Sequence, residues 1–317
     1  MNELRKDYVL DRWVIIAKDR GKRPHDFTQK KEPQKKEICV FCPGNEALTP
    51  AEISRVEKNG KWIVRIIPNK YSATSLEYGL LDYGFESKPA YGRHELVIET
   101  NRHDKNLEDL SVDVIVKILK IYSERIEKLM KLPRTKYVLV FKNKGVDAGV
   151  SLAHSHTQII SLPSVPTLIA DEARAARIYR QKNKKCVLCD VLKKELKTER
   201  KIFEDRNIAV IAPFASRFPF EAWIVPKKHI RFLKELNESE LSSFALSLKK
   251  TINALNKILG KPSYNFYLHT SPQNADLHLH LELCPRVAIF GGFELGSGII
   301  INTMPPEIAA KEYRKRL

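Results

Sequence analysis

The sequence predicts an α+β protein built from two tandem copies of one unit, each an antiparallel sheet with a helix packed on it. Two observations carry this. A Cys-x-x-Cys pair, a lone histidine and a His-x-His occur twice in the same order: Cys39/Cys42, His103 and His154/His156, then Cys186/Cys189, His229 and His278/His280. The step from His103 to His154 is 51 residues and that from His229 to His278 is 49. Between these marks, each copy holds short apolar runs of strand length and one long stretch with apolar residues at helical spacing.

Taken in order, Tyr8 to Ala17 reads as a strand, because Trp13-Val14-Ile15-Ile16 is a short apolar run between charges. Residues 25 to 38 are polar and lysine-rich, as in a loop. Cys39-Val40-Phe41-Cys42-Pro43-Gly44 is a tight knuckle, and strands follow at Trp62 to Pro68 and Glu95 to Glu99. Leu107 to Met130 has the apolar spacing of an amphipathic helix. A strand at Tyr137 to Phe141 leads into a turn at Asn143 to Gly149 that carries two glycines. The return strand bears His154-Ser155-His156-Thr157-Gln158 and then Ile159 to Leu162. Helix-forming residues from Ile169 to Arg177 connect the copies. The second copy then offers strands at Ile208 to Ala212, Glu221 to Val225 and Asn265 to His269, with its helix within Phe232 to Leu259. The tail from Ile289 to Asn302 is glycine-bearing and irregular, and Pro305-Pro306-Glu307 starts a short last helix. The expected division is residues 1–165 and 166–317.

Composition narrows the function classes. No apolar run approaches the roughly 18 residues that span a bilayer, and the charged N-terminus lacks a signal-peptide core, so a cytoplasmic protein is expected. A formal charge of +17 favours anionic partners, either nucleic acid or phosphorylated metabolites. The basic residues are dispersed, without a long stripe interleaved with aromatics, which argues against a nucleic-acid-binding protein stabilised by zinc. Four of the five cysteines form the two Cys-x-x-Cys pairs, a metal-ligand or redox spacing in a reducing compartment. Cys284 reads as core.

Two thiolates with two imidazoles suit tetrahedral zinc. Cys39, Cys42, His103 and His154 form the first expected set. Cys186, Cys189, His229 and His278 form the second, with zinc or iron as its ion. A competing set of Glu172, His269, His278 and His280 shares His278 with it. Next to His154, His156 is left free as a nucleophile, since neutral imidazole needs no strong base to activate it. Its second ring nitrogen would donate to a fixed acceptor. The Gln158 amide would then stabilise a phosphate oxygen. Arg20, Arg23, Asn69, Asn143 and Lys144 are candidate phosphate contacts, and Phe41, Tyr71 and Phe85 are candidate base contacts. His25 and His94 match no repeat and read as ordinary polar residues.

At these residues the chain resembles the galactose-1-phosphate uridylyltransferase family, the transferase branch of the histidine-triad superfamily. The resemblance rests on Arg20-Gly21-Lys22-Arg23-Pro24, the Cys39 knuckle, Asn143-Lys144-Gly145, His154 to Gln158 and Gly292-Phe293-Glu294-Leu295-Gly296. It implies two tandem histidine-triad-like repeats and a ping-pong reaction. His156 would take a nucleotide from a nucleoside diphosphate sugar and pass it to a second sugar 1-phosphate. It also implies a homodimer whose C-terminal parts reach the site, which makes Phe293 and Glu294 substrate contacts; Ser151 joins that set. The family reading is UMP transfer between UDP-glucose and galactose 1-phosphate. Ser155 and Thr157 stand where well-known uridylyltransferases have proline and glycine. The His-Ser-His form, the second Cys-x-x-Cys and the tail from Glu294 to Gly298 are similar to ADP-glucose phosphorylase-like members. That similarity implies the alternative of ADP-glucose with free phosphate. A nucleotide hydrolase remains the further alternative.

Overall fold

A computed structural model describes residues 3–16, 38–79 and 87–317. The expectations for Arg20, Arg23, His25 and Phe85 lie outside the described residues. At the start, β1 (Glu3–Lys6) pairs antiparallel with β2 (Trp13–Ile16). The Asp7 carboxylate closes the connection by accepting from the amides of Val9 and Leu10, each at 2.9 Å.

The first repeat contains β3 (Ser54–Lys58), β4 (Lys61–Pro68), β5 (His94–Ile98), α1 (Val112–Met130), β6 (Tyr137–Lys144) and β7 (His156–Leu162). Asn59-Gly60 joins β3 to β4 with both residues at positive φ, the hairpin turn that this dipeptide favours. Next come α2 (Thr167–Asn183) and α3 (Val187–Glu195). The second repeat contains β8 (Lys201–Glu204), β9 (Ile208–Ile211), β10 (Ala222–Pro226), α4 (Glu238–Leu259), β11 (Tyr264–His269) and β12 (His280–Pro285). Asn237 and Glu240 cap α4 reciprocally at 2.9 Å, and Gly260 ends it in the left-handed conformation. Last are α5 (Gly292–Ser297), β13 (Ile300–Asn302) and α6 (Pro306–Arg314).

Ten strands form one sheet in the order β3-β4-β5-β7-β6-β11-β12-β10-β9-β8. The order is the same when read from either edge with the repeats exchanged. The repeats meet where β6 and β11 pair antiparallel, from Tyr264 opposite Lys144 to Leu268 opposite Val140. Strand alternation then separates the two faces. One face turns Val138, Val140, Ile159, Phe266, Leu268, Leu281 and Leu283 onto α1 and α4 as the main core. The opposite face receives His94, Asn143, His156, Gln158, His269, His280 and Glu282, because these alternate with the core residues and pair across the strands. Over the second repeat that face is covered by α2 and α3, whose Ile169, Val187, Leu188 and Leu192 are buried.

Some expectations are corrected here. Leu107 to Met130 is not one helix. Asp109 turns back to cap Asn106 at 2.9 Å, Ser111 is extended, and α1 starts only at Val112. The helix expected within Phe232 to Leu259 is α4, and a similar break precedes it. The tail is more regular than its glycines suggest: it folds into α5 and then β13, which lies parallel to β2.

Candidate active site and metal clusters

The Cys39 knuckle brings both thiols under the return strand. Cys39 Sγ lies 3.5 Å from His154 Nδ1, and Cys42 Sγ lies 3.5 Å from His103 Nδ1 and 3.7 Å from His154 Nδ1. Four such ligands around one ion stand about 3.6 Å apart, sulfur to nitrogen, so these edges fit a tetrahedral centre. All four ligand atoms fall within 4.8 Å of one another. His154 Nε2 donates to the Thr100 carbonyl at 2.8 Å, which fixes the tautomer and aims Nδ1 at the thiols. Burial holds His154 below the ordinary imidazole value, so the ring is neutral.

One residue along, His156 donates from Nδ1 to the carbonyl of His154 at 2.8 Å. Its Nε2 has no hydrogen-bond partner among the described residues, so the lone pair sits there. Burial lowers this imidazole too. Phe41, from the knuckle, packs edge-on against the ring at 5.5 Å between centroids. Phe41 is 3% exposed and therefore forms a wall of the site, whereas Tyr71 is 83% exposed.

Gln158 Oε1 accepts from His94 Nε2 at 2.9 Å, which leaves the Gln158 amide group to point elsewhere. His94 in turn faces the Asn69 amide at 3.4 Å, and the Ala73 amide reaches its Nδ1 at 3.4 Å. His94 is thus a member of the site, not an ordinary polar residue. No local sequence pattern marks it: it starts the strand that pairs with Gln158 through Leu96. A cavity of about 200 Å³ opens beside it, lined by Asn69, Ser72, Arg93 and His94. Asn143 lies on the same sheet face, its Oδ1 accepting from Asn265 Nδ2 at 2.8 Å. Ser151 is exposed in the loop before His154. Lys144 is a correction: it projects from the helix-covered face, paired with Glu108 at 3.3 Å, and so points away from the His156 side. Phe293 and Glu294 lie on α5, which packs on β13, and the Glu294 carboxylate accepts from the Gly291 amide at 2.9 Å.

The second repeat rebuilds the first cluster. Cys186 lies 3.7 Å from His278 Nδ1, and Cys189 lies 3.5 Å from His278 Nδ1 and 3.8 Å from His229 Nδ1. His278 Nε2 donates to the Pro226 carbonyl at 2.9 Å, and His229 Nε2 faces Asp276 at 2.7 Å. A hydrogen bond from the Cys189 thiol pulls Cys186 below the ordinary thiol value. The competing set is not assembled as expected, because His278 is turned onto the thiols. In its place Glu172, His269, His280 and Glu282 converge, with Glu172 3.0 Å from His269 Nδ1 and Arg217 paired to Glu282. His280 copies the bond of His156, Nδ1 to the carbonyl of His278 at 3.0 Å, but it is closed in beneath α2.

A duplicated antiparallel sheet, with a metal-type cluster holding a His-x-His in each half, defines a histidine-triad-type protein. Comparison with known proteins agrees. Residues 1–166 match the family model described as galactose-1-phosphate uridyl transferase, N-terminal domain, and residues 185–284 match that described as scavenger mRNA decapping enzyme C-term binding. The chain belongs to the galactose-1-phosphate uridylyltransferase family. It is 35% identical to the ADP-glucose phosphorylase of Arabidopsis thaliana, over 99% of this chain and 92% of that protein. It is 29% identical to the galactose-1-phosphate uridylyltransferase of Thermotoga maritima, over 99% and 98%. The solved structure of an Arabidopsis thaliana ADP-glucose phosphorylase with bound ADP-glucose superposes with a TM-score of 0.86 at 34% identity, covering 99% of this chain and 98% of that one.

Proposed function

We propose that this chain is a nucleotidyltransferase that moves UMP between UDP-glucose and galactose 1-phosphate through a nucleotidyl-histidine at His156. The observation that carries the reading is the state of that ring: Nδ1 is committed to the His154 carbonyl and Nε2 keeps its lone pair. Nε2 attacks the α-phosphorus, a P–N bond forms, and the P–O bond to the bridging oxygen breaks. Glucose 1-phosphate leaves with the electron pair. Galactose 1-phosphate then attacks the same phosphorus through a phosphate oxygen, and the P–N bond returns its electrons to Nε2. The His154 carbonyl stabilises the positive ring of the intermediate through the retained Nδ1 proton. Gln158 donates its amide to a non-bridging oxygen. Asn69, Asn143 and Ser151, with Arg20 and Arg23, hold the remaining phosphate oxygens.

In this reading residues 1–165 supply the chemistry, and 166–317 supply the second cluster and the substrate-contacting tail. Zinc is held by Cys39, Cys42, His103 and His154, and zinc or iron by Cys186, Cys189, His229 and His278. An ion in either cluster would tie the Cys-x-x-Cys pair to its His-x-His strand. The chain acts in the cytoplasm as a homodimer in which α5 reaches the second copy's site, bringing the partner's Phe293 and Glu294 to the substrate. No described helix is long and apolar enough to cross a membrane.

A second reading keeps His156 and changes the substrates to ADP-glucose and phosphate; the 35% identity to an ADP-glucose phosphorylase favours it. Incubation with UDP-glucose or ADP-glucose, each labelled at the α-phosphate, separates the two. The nucleotide that leaves acid-labile label on His156 is the substrate. Retention of label by His156→Ala, or no labelling by either sugar nucleotide, would sink both readings.

A further inference from the structure

Ser155 and Thr157 alternate with His154 and His156, so their hydroxyls point to the helix-covered face of the sheet. There they meet groups that the transfer chemistry leaves unused. The Glu99 carboxylate accepts from Ser155 Oγ at 2.6 Å, from Thr157 Oγ1 at 2.5 Å and from Lys142 Nζ at 2.6 Å. Lys142 Nζ also donates to Ser155 Oγ and to the carbonyl of His156, both at 3.0 Å. All three ammonium protons are therefore used. Tyr122, from α1, donates to Thr157 Oγ1 at 2.8 Å. Every member is buried, with Glu99 at 0% and Lys142 at 1% exposure.

The second repeat serves as an internal control. Leu279 and Leu281 flank His280 where Ser155 and Thr157 flank His156. Leu268 stands opposite its neighbours on β11 where Lys142 stands on β6. All three leucines are buried. The same sheet, helix and His-x-His strand thus form without this polar set. A buried ion pair contributes little net stability over apolar residues of similar volume, so packing alone does not account for it.

We propose that Lys142 and Glu99, acting through Ser155, Thr157 and the His156 carbonyl, are positioning residues that fix the backbone of the nucleophile. The metal cluster restrains His156 from the His154 side, and the network restrains it from the other. The ring, hinged on the His154 carbonyl, is thereby held in line for attack. Displacement of a reacting group by about 1 Å costs up to about a hundredfold in rate. The inference rests on His156 being the nucleotide carrier.

The test is single-turnover labelling of the full-length, metal-loaded protein with the sugar nucleotide that labels the unaltered chain. Thr157→Val keeps the shape and removes the hydroxyl; Thr157→Ser restores it. Lys142→Met/Glu99→Leu removes both charges together, so that no lone buried charge is left. The expected result is labelling slowed about tenfold or more in Thr157→Val and in the double variant. KM for the sugar nucleotide, metal content and melting temperature stay near those of the unaltered protein, and Thr157→Ser regains most of the rate. Unchanged rates in folded Thr157→Val and in the double variant would overturn the proposal. So would a rate loss that only follows lost metal or lost folded protein, or one that Thr157→Ser shares. Failure of the unaltered chain to label would instead count against the function of His156 itself.

Discussion

His94 has one ring nitrogen on Gln158 and the other towards Asn69 and the Ala73 amide, so it decides which way the Gln158 amide faces. Replacement His94→Phe keeps the ring volume and frees Gln158 to rotate. We expect kcat to fall about tenfold or more with little change in KM for the nucleotide sugar, checked by steady-state kinetics. Gln158→Ala should fall further, about a hundredfold, because the donor itself is gone. That His156 and Gln158 share one face of one strand was legible in the sequence, because His-x-His-x-Gln on a strand is a local pattern. His94 was not, since its role comes from pairing between β5 and β7, and a register cannot be read from one strand. The same limit explains Lys144: the motif it belongs to is visible, but strand alternation turns its side chain to Glu108. Only the fold shows which face each residue takes.

At the level of elements, α6 is docked by Glu307, whose carboxylate accepts from Arg5 at 2.9 Å and from Arg200 at 2.9 Å. Burial opposes ionisation of Glu307, but the helix-end amide and the two guanidinium groups outweigh it, so its carboxyl sits below the ordinary value. A carboxyl lowered on folding contributes stability above its unfolded value near 4.5, and that contribution is lost as pH falls through the lower folded value. Glu307→Gln should therefore lower stability at pH 7 by about 2 kcal/mol and narrow its gap to the unaltered chain below pH 4, as read by urea unfolding at several pH values. At the seam between the repeats, Gly145 has a φ of 84° and a Cβ there would strike Ser263, just before β11. Gly145→Ala is expected to cost about 2 kcal/mol or more in the same assay. Strands β4, β5, β6, β7, β9, β10 and β11 and the helices α1 and α4 were legible from apolar spacing, whereas β1, β3, β8 and α3, short and rich in charged residues, were not. The breaks before α1 and α4 were not, because they depend on side chains folding back onto backbone amides.

For the molecule as a whole, the two clusters are expected to make separable contributions. Elemental analysis should find two metal ions per chain. Cys186→Ser should remove one, lower the melting temperature and leave His156 labelling measurable. Cys39→Ser should remove the other and abolish labelling, since the strand bearing the nucleophile loses its anchor. Light scattering on the full chain should return twice the mass of one chain. The duplication was legible because cysteines and histidines are rare enough for their order to stand out. That the two copies fuse into one ten-stranded sheet was not, since nothing local marks β6 and β11 as partners. The pairing of Val14 to Ile16 with Ile300 to Asn302 has a further consequence. During synthesis on the ribosome, β2 emerges long before β13, which covers its open edge. Nascent chains stalled short of position 300 should therefore be more readily cut by protease near position 14 than the released protein.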